Sequence, residues 1–345
     1  MIGSGWGGSL MQLRVETELG RFAARWDALL DQAPRPSVFL RAWWLEAVAS
    51  GTPQFVLVFD GEDLVGGCPL QQVDWHGIPL LEFMGSGPLE ADHLDVVVAA
   101  GFEDQVRDKV FAWLGRRGSR VVDLRGLNEH AVLLSGREGT TAELLQVAPF
   151  SDLSGGFAEF MAARSKSLRR DIRQAQRRME EGDVTFQLCG PSEAAGALNA
   201  LRDMHAQQWG DESSFLAGWP RFRAAAIAGC ERGEVVVGQA TLPSGEPIAA
   251  GVALQCGPVM FNYQSGRSQD PRWTGSGTFV DAALMQANPA TVEMDWLRGT
   301  ERYKSKWATG ERPLFRLRFA HGSRGWLAIQ ASKMLHSWRE RRARR

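Results

Sequence analysis

A chain of 345 residues, 44% apolar and 23% charged, has the composition of a soluble globular protein large enough for two domains. Its longest apolar runs, such as LDVVVAA over residues 94–100, are too short to span a bilayer, and Cys68, Cys189, Cys230 and Cys256 are spaced for neither a zinc site nor a disulfide framework. The net charge of −1 hides an acidic residues 1–155, with 12 Lys/Arg against 21 Asp/Glu, and a basic remainder, with 27 against 19, which suits an anionic ligand such as coenzyme A or a nucleic acid.

The opening MIGSGWGGSLMQL lacks the basic flank and apolar core of a secretory signal and reads as a flexible leader, so a cytoplasmic setting is expected. Helical spacing through Leu19, Phe22, Ala23, Trp26, Leu29 and Leu30 predicts a helix from Thr17 to Gln32, and Ser37 is placed to cap a second over VFLRAWWLEAVAS. QFVLVFD and LVGGCPLQQV, joined at Gly61-Glu62-Asp63, read as a hairpin. GIPLLEFMG and LDVVVAA form a second pair around the loop Ser86 to His93. A helix from Glu103 to Gly115 and the strand RVVDLRGL follow. Around Val147 to Gly156, Pro149 and Ser154-Gly155-Gly156 suggest a loop, and the boundary between a domain of residues 1–155 and one of 156–345 is placed there.

The second half opens on FAEFMAARSKSLRRDIRQAQRRMEEG, a helix with an apolar line of Leu168, Ile172, Ala175 and Met179. Between Arg164 and Arg178 stand seven Lys/Arg and one acid, a solvated face or an anion clamp. Helices are expected from Ser192 to Gln208 and from Trp219 to Cys230, and strands from Glu234 to Thr241 and from Pro247 to Leu254. PLFRLRFA is a further strand. Ser323 to Arg345 reads as an amphipathic helix with a basic end, expected to pack on the second domain in preference to a membrane surface.

Val259 to Trp307 carries the chemistry. VMFNYQ is a buried strand, Arg272-x-x-Gly275-Ser276-Gly277 a loop, and Phe279, Val280, Ala283 and Leu284 mark a helix. Gly275 and Gly277 let backbone N–H groups approach an anion, and the helix adds its positive end. TVEMDWL then supplies a second strand.

This ordered set resembles the CelD-like (BioF2-like, cellulose-biosynthesis-type) acetyltransferases of the GNAT superfamily. It has the Arg-x-x-Gly-x-Gly loop, then Asp295-Trp296-Leu297-Arg298-Gly299, then Tyr303-Lys304-x-x-Trp307. The chain departs at the loop, with Gly275-Ser276-Gly277 in place of Ser-Pro-Gly. The W-D-A-L-L opening and the FLRAWW helix carry the likeness into the first half. The arginine helix is also similar to one in Fem-type aminoacyl transferases. The resemblance implies an α/β (α+β) fold of tandem GNAT-like domains, each a mixed central sheet flanked by helices, with the active site between the halves.

It further implies acyl transfer from acetyl-CoA or another acyl-CoA to an amine of a small molecule, glycan or peptide, without a metal. Arg272, Gly275, Ser276 and Gly277 would hold the donor, with Arg169, Arg170 and Arg173 clamping phosphates. Tyr303 is the candidate acid for the leaving thiolate and Lys304 the candidate oxyanion donor. Asp92 or His93 could serve as general base, against an Asx-turn as the plainer reading. Tyr263, Asp295 and Arg298 are candidates on the substrate side. Two alternatives stand beside this: a Fem-type transferase using aminoacyl-tRNA, and a degenerate GNAT acting as a binding module.

Overall fold

A computed structural model describes residues 11–331, apart from 117, 119, 136–141 and 211–212. The leader expected over the first ten residues and the basic end of the terminal helix lie outside the described residues; the chain is helical over 322–331. The polypeptide forms two compact units. One comprises Met1–Ser86, His93–Leu145 and Phe315–Arg345, the other Gly87–Asp92 and Gln146–Leu314.

The first unit runs β1 (Gln12–Glu16), α1 (Ala23–Asp31), α2 (Ala42–Val48), β2 (Thr52–Asp60), β3 (Asp63–Trp75), β4 (Ile78–Phe83), β5 (Val97–Val98), α3 (Glu103–Leu114) and β6 (Arg120–Asn128). Its sheet has the order β1-β2-β3-β4-β6, antiparallel to β4 and parallel from β4 to β6, with β5 against β3. The second helix starts later than Ser37 suggests. Residues Val38–Leu40 make a 3-10 turn, and Asp27 Oδ1 accepts from Ala42 N at 2.9 Å, so the oxygen at the start of α2 comes from α1.

In the second unit follow β7 (Ala142–Asp152), α4 (Gly156–Ala163), α5 (Lys166–Glu181), β8 (Thr185–Cys189), α6 (Pro191–Trp209), α7 (Ser214–Glu231), β9 (Val235–Thr241), β10 (Pro247–Cys256), β11 (Val259–Arg267), α8 (Ser276–Ala287), β12 (Glu293–Asp295), α9 (Arg302–Trp307) and β13 (Gly310–His321). Residues of β7 before Gln146 and of β13 after Leu314 belong to the first unit. The sheet order is β7-β12-β11-β10-β9-β8, parallel between β11 and β12 and antiparallel elsewhere.

In the first unit the expected pair GIPLLEFMG and LDVVVAA does not form, since β4 pairs with β3 and β6 while only Val97–Val98 of the second run is strand and pairs with β3. Three further elements, at the unit boundary and beyond, differ from the sequence pattern. The expected loop at Val147 is strand, because Phe150, Ser151 and Asp152 pair with β12 while Pro149 contributes only its carbonyl, which accepts from Trp296 N at 2.9 Å. The arginine-rich segment is two helices: Arg164 is extended, and Ser165 caps α5 by accepting from Leu168 N at 3.2 Å. α7 begins at Ser214, five residues early, because Phe215 is buried against Phe222 and His205.

Helices cover both faces of this sheet. A side chain on Gly251 would meet Val280 and Leu284 of α8, whereas one on Gly266, the partner of Ala250, would meet Leu201 and Met204 of α6. Neighbouring strand residues point to opposite faces, so α8 and α6 lie on opposite sides. The apolar line of α5 is buried as its spacing predicts: Leu168 and Ile172 join Met260, Met294, Trp296 and Trp307, and Met179 joins Val280 and Leu284.

Candidate functional site

β11 and β12 pair at only three positions, Val259–Phe261 with Glu293–Asp295, although β11 continues to Arg267. Beyond Phe261 the two parallel strands are unpaired, and a cavity of about 180 Å³ lies at their carboxyl ends. That is where ligands bind in α/β sheets, because side chains there converge without a neighbouring strand to satisfy them. Every lining residue belongs to the second unit, including Pro88 to Asp92.

The segment Asp295-Trp296-Leu297-Arg298-Gly299 builds one wall by a chain of local requirements. Asp295 is fully buried, and its Oδ1 accepts from Leu297 N at 2.8 Å, holding Leu297 at the left-handed φ of 57°. The turn sends Arg298 to Asp92: Nε donates to Oδ1 at 2.6 Å, the backbone N–H to Oδ2 at 2.8 Å, and Nη2 to Ala91 O at 2.9 Å. Gly299 has φ 128°, and a Cβ there would lie 2.8 Å from Lys304 Nζ. The glycine therefore lets Lys304 donate to Arg298 O at 2.6 Å, with Glu301 at 3.2 Å. Lys304 is 7% exposed, yet its three donors are not exhausted by these two contacts.

Trp296 and Trp307 stack at 5.5 Å, and Tyr303 meets Trp296 edge-on at 6.2 Å. Ser151 links the tryptophans, accepting from Trp296 Nε1 and donating to Trp307 O, both at 2.9 Å. These contacts give physical reasons for the spacing of Trp296, Tyr303, Lys304 and Trp307. Although Tyr303 is half-exposed overall, desolvation of its phenol pushes it up, with Asp281 and Glu301 adding to the effect, and it is a proton donor at neutral pH. The opposite wall is Tyr263, stacked on Phe222 at 4.7 Å, its hydroxyl donating to Leu89 O at 2.8 Å.

Thus Tyr303, Lys304, Asp92, Tyr263 and Arg298 converge on one cavity, with Asp295 beneath it. His93 is buried and is not among the lining residues. The sequence reading missed Glu90, Glu301, Asn262 and Asp281. Glu90 lines the cavity, exposed, at φ 45°. Asp281 is 7% exposed on α8, accepts from Asn262 Nδ2 at 3.1 Å, and is pushed up to about 7 by burial, against the lowering effect of that bond. None of the four stands in a local pattern; only folding brings them together.

The glycine loop forms a separate feature at the N-terminus of α8. Gly275 caps the helix at φ 96°, and a Cβ there would lie 3.1 Å from Ala175 of α5. A Cβ on Gly277 would make only ordinary contact, 3.5 Å from Arg267 Cδ. Ser276 is fully buried behind them, and Arg272 is exposed and held by Asp270 at 2.8 Å. The α5 arginine bonded to this loop is Arg178, through Thr274 O. Arg169, Arg170 and Arg173 line a shallow groove with Lys166 and Ser167, without an acid among the lining residues. Arg169 and Arg173 stand six and two residues before Ala175, about 9 and 3 Å along the helix axis.

Residues 166–305 match the family model of the acetyltransferase (GNAT) domain. No curated protein matches the chain. Among solved structures, FemX is 11% identical with a TM-score of 0.65, covering 93% of this chain and 99% of its own. A conserved protein of unknown function from Bacteroides thetaiotaomicron is 10% identical with a TM-score of 0.63, covering 89% of this chain and all of its own. The C-terminal domain of a putative lysylphosphatidylglycerol synthetase from Agrobacterium fabrum is 12% identical with a TM-score of 0.57, covering 92% and 97%. At these identities the likeness is one of fold; together with the family match it supports an acyltransferase.

Proposed function

We propose that this chain is an N-acyltransferase of the GNAT type that moves an acyl group, acetyl in the simplest case, from acyl-CoA to an amine in the cavity at the carboxyl ends of β11 and β12. The observation that carries the reading is the convergence of Tyr303 and Lys304 on that cavity, inside the segment that matches an acetyltransferase domain. The finer CelD-like assignment is supported by the packing of Asp295, Trp296, Gly299, Tyr303 and Trp307, the residues that carry the resemblance.

Acyl transfer needs the thioester held, its oxyanion stabilised, the amine deprotonated and the thiolate protonated. Gly275, Ser276 and Gly277 offer backbone N–H groups and a helix N-terminus to the pyrophosphate of the donor. Arg272 stands at the loop, and Arg169, Arg170 and Arg173 lie within reach of further phosphate along α5. Tyr303 gives its proton to the leaving sulfur, and the remaining Lys304 donor faces the developing oxyanion. Asp92 is committed to Arg298 and shapes the wall with Tyr263, so we assign to Glu90 both the attraction of the cationic acceptor and the acceptance of the proton its nitrogen sheds, which Glu90 passes on to solvent. Calorimetry with acetyl-CoA tests the donor: heat of binding is expected for the parent, and none at millimolar ligand sinks the coenzyme A reading. Binding without turnover of any amine would leave a binding module.

A second reading, an aminoacyl-tRNA-dependent transferase, is favoured by the groove of Lys166, Arg169, Arg170 and Arg173. Salt separates the two. A tRNA contacting several phosphates loses affinity steeply between about 50 and 200 mM salt, on the order of 10³-fold or more for six contacts. A donor with three phosphate groups loses far less. Activity that survives ribonuclease and needs only acyl-CoA eliminates the tRNA reading.

A further inference from the structure

Asp281 is a buried carboxyl that the mechanism above does not use. It sits on α8 just past the glycine loop and accepts a hydrogen bond from the cavity-lining Asn262. An amide side chain has two unlike ends. With Nδ2 donating to Asp281, the Asn262 carbonyl oxygen has no partner among the described residues and is left for the cavity. A protonated Asp281 reverses this preference: its O–H donates best to Asn262 Oδ1, which turns the amide over and presents NH2 to the cavity.

Resting on the acyl-transfer reading, we propose that Asp281 is the positioning residue that sets which end of the Asn262 amide meets the acceptor. Ionised, it leaves a carbonyl that accepts an N–H of the amine; protonated, it leaves an NH2 that opposes the amine. The surroundings isolate the pair. From β11 Asp281 is faced by Asn262, with Arg267 against Gly277 one turn earlier on α8, and from α9 by Tyr303, with Glu301 acting in turn on the phenol. The other elements against α8 turn apolar residues to it: Ile172 and Met179 of α5, Phe186 of β8, Ala240 of β9 and Ala253 of β10. Asp281 makes no ion pair among the described residues, and burial brings this carboxyl to change charge near neutrality.

Two measurements on the full chain decide. In 15N-labelled protein, the side-chain NH2 resonance of Asn262, assigned by its loss in Asn262→Ser, is expected to titrate with a midpoint near pH 7 and to stop titrating in Asp281→Asn. A resonance that does not move in the parent, or that moves equally in the variant, overturns the proposal. For turnover, kcat/KM for the amine is expected to fall about tenfold per pH unit below the midpoint in the parent. In Asp281→Asn it should stay flat within about twofold from pH 6 to 8, once the acceptor's own ionisation is divided out. The donor Kd by calorimetry should be the same in both proteins. An acid limb that persists in the variant sinks the role in positioning. If the parent acylates no amine, the functional reading fails, while the resonance still decides whether Asp281 orients Asn262.

Discussion

Tyr303 and Lys304 are adjacent, and neighbours on a helix point about 100° apart, yet both line the cavity. They do so with different side-chain surroundings: Tyr303 is 47% exposed and Lys304 is 7% exposed, with its ammonium bonded to Arg298 O. Tyr303→Phe is therefore expected to lower turnover ~10²–10⁴-fold at unchanged donor affinity, with little change in melting temperature. Lys304→Met is expected to cost on the order of 10²–10³-fold in turnover and to lower the melting temperature as well. Near-parental turnover from both would remove them from the mechanism. That Tyr303, Lys304 and Arg298 line one cavity follows from the ordered, local spacing on which the resemblance rests, whereas Asp92, expected as a general base, is held by Arg298 instead. Glu90 and Asn262 were not legible, because an isolated Glu in a loop and an Asn in a strand carry no signal until the fold sets them beside Tyr263 and Asp281.

Among the elements, α8 and its loop separate a conformational glycine from a contact glycine. Gly275→Ala places a Cβ 3.1 Å from Ala175 at a φ of 96°, so the folded state itself is expected to lose about 1–2 kcal/mol. Gly277→Val has no such strain, with Arg267 at ordinary distance from its Cβ. It should keep the melting temperature and weaken acetyl-CoA by calorimetry, at least tenfold if the backbone there approaches pyrophosphate. Equal affinity for parent and variant would take the loop out of donor binding. Most helices and strands were readable from their periodicity. The exceptions were settled by distant partners: Asp27 for the start of α2, Phe222 and His205 for the start of α7, and β12 for the strand through Pro149.

For the molecule as a whole, two buried carboxyls give stability an uncommon dependence on pH. Asp281 and Asp95 are each pushed up to about 7, mainly by burial, although Asp95 accepts from the backbone N–H groups of Val132 and Leu133. Their folded values lie above the unfolded carboxylate range. The stability they contribute is thus fully present below about pH 4 and is lost as pH rises through about 7. Each loss is on the order of 4 kcal/mol over the full window. The melting temperature is expected to fall between pH 5 and pH 8, and Asp281→Asn should narrow that fall. A flat profile over this range would show both carboxyls ionised without penalty.

The bond from Arg298 to Asp92 has a consequence for how the protein comes into being. The two residues are 206 positions apart, and the acidic one is synthesised first. At about 5–20 residues per second a ribosome needs roughly 10–40 s to bring the arginine out after the aspartate. For that interval the segment from Gly87 to Asp92 has no wall to join, although it counts among the residues of the second unit. A gene fragment starting at Gln146 would encode Arg298 with no carboxylate to receive it, and Tyr263 with no Leu89 carbonyl. Such a fragment is expected to be insoluble or inactive. Supplying residues 1–145 from a second plasmid should restore activity only when the two are translated together, before the fragment aggregates.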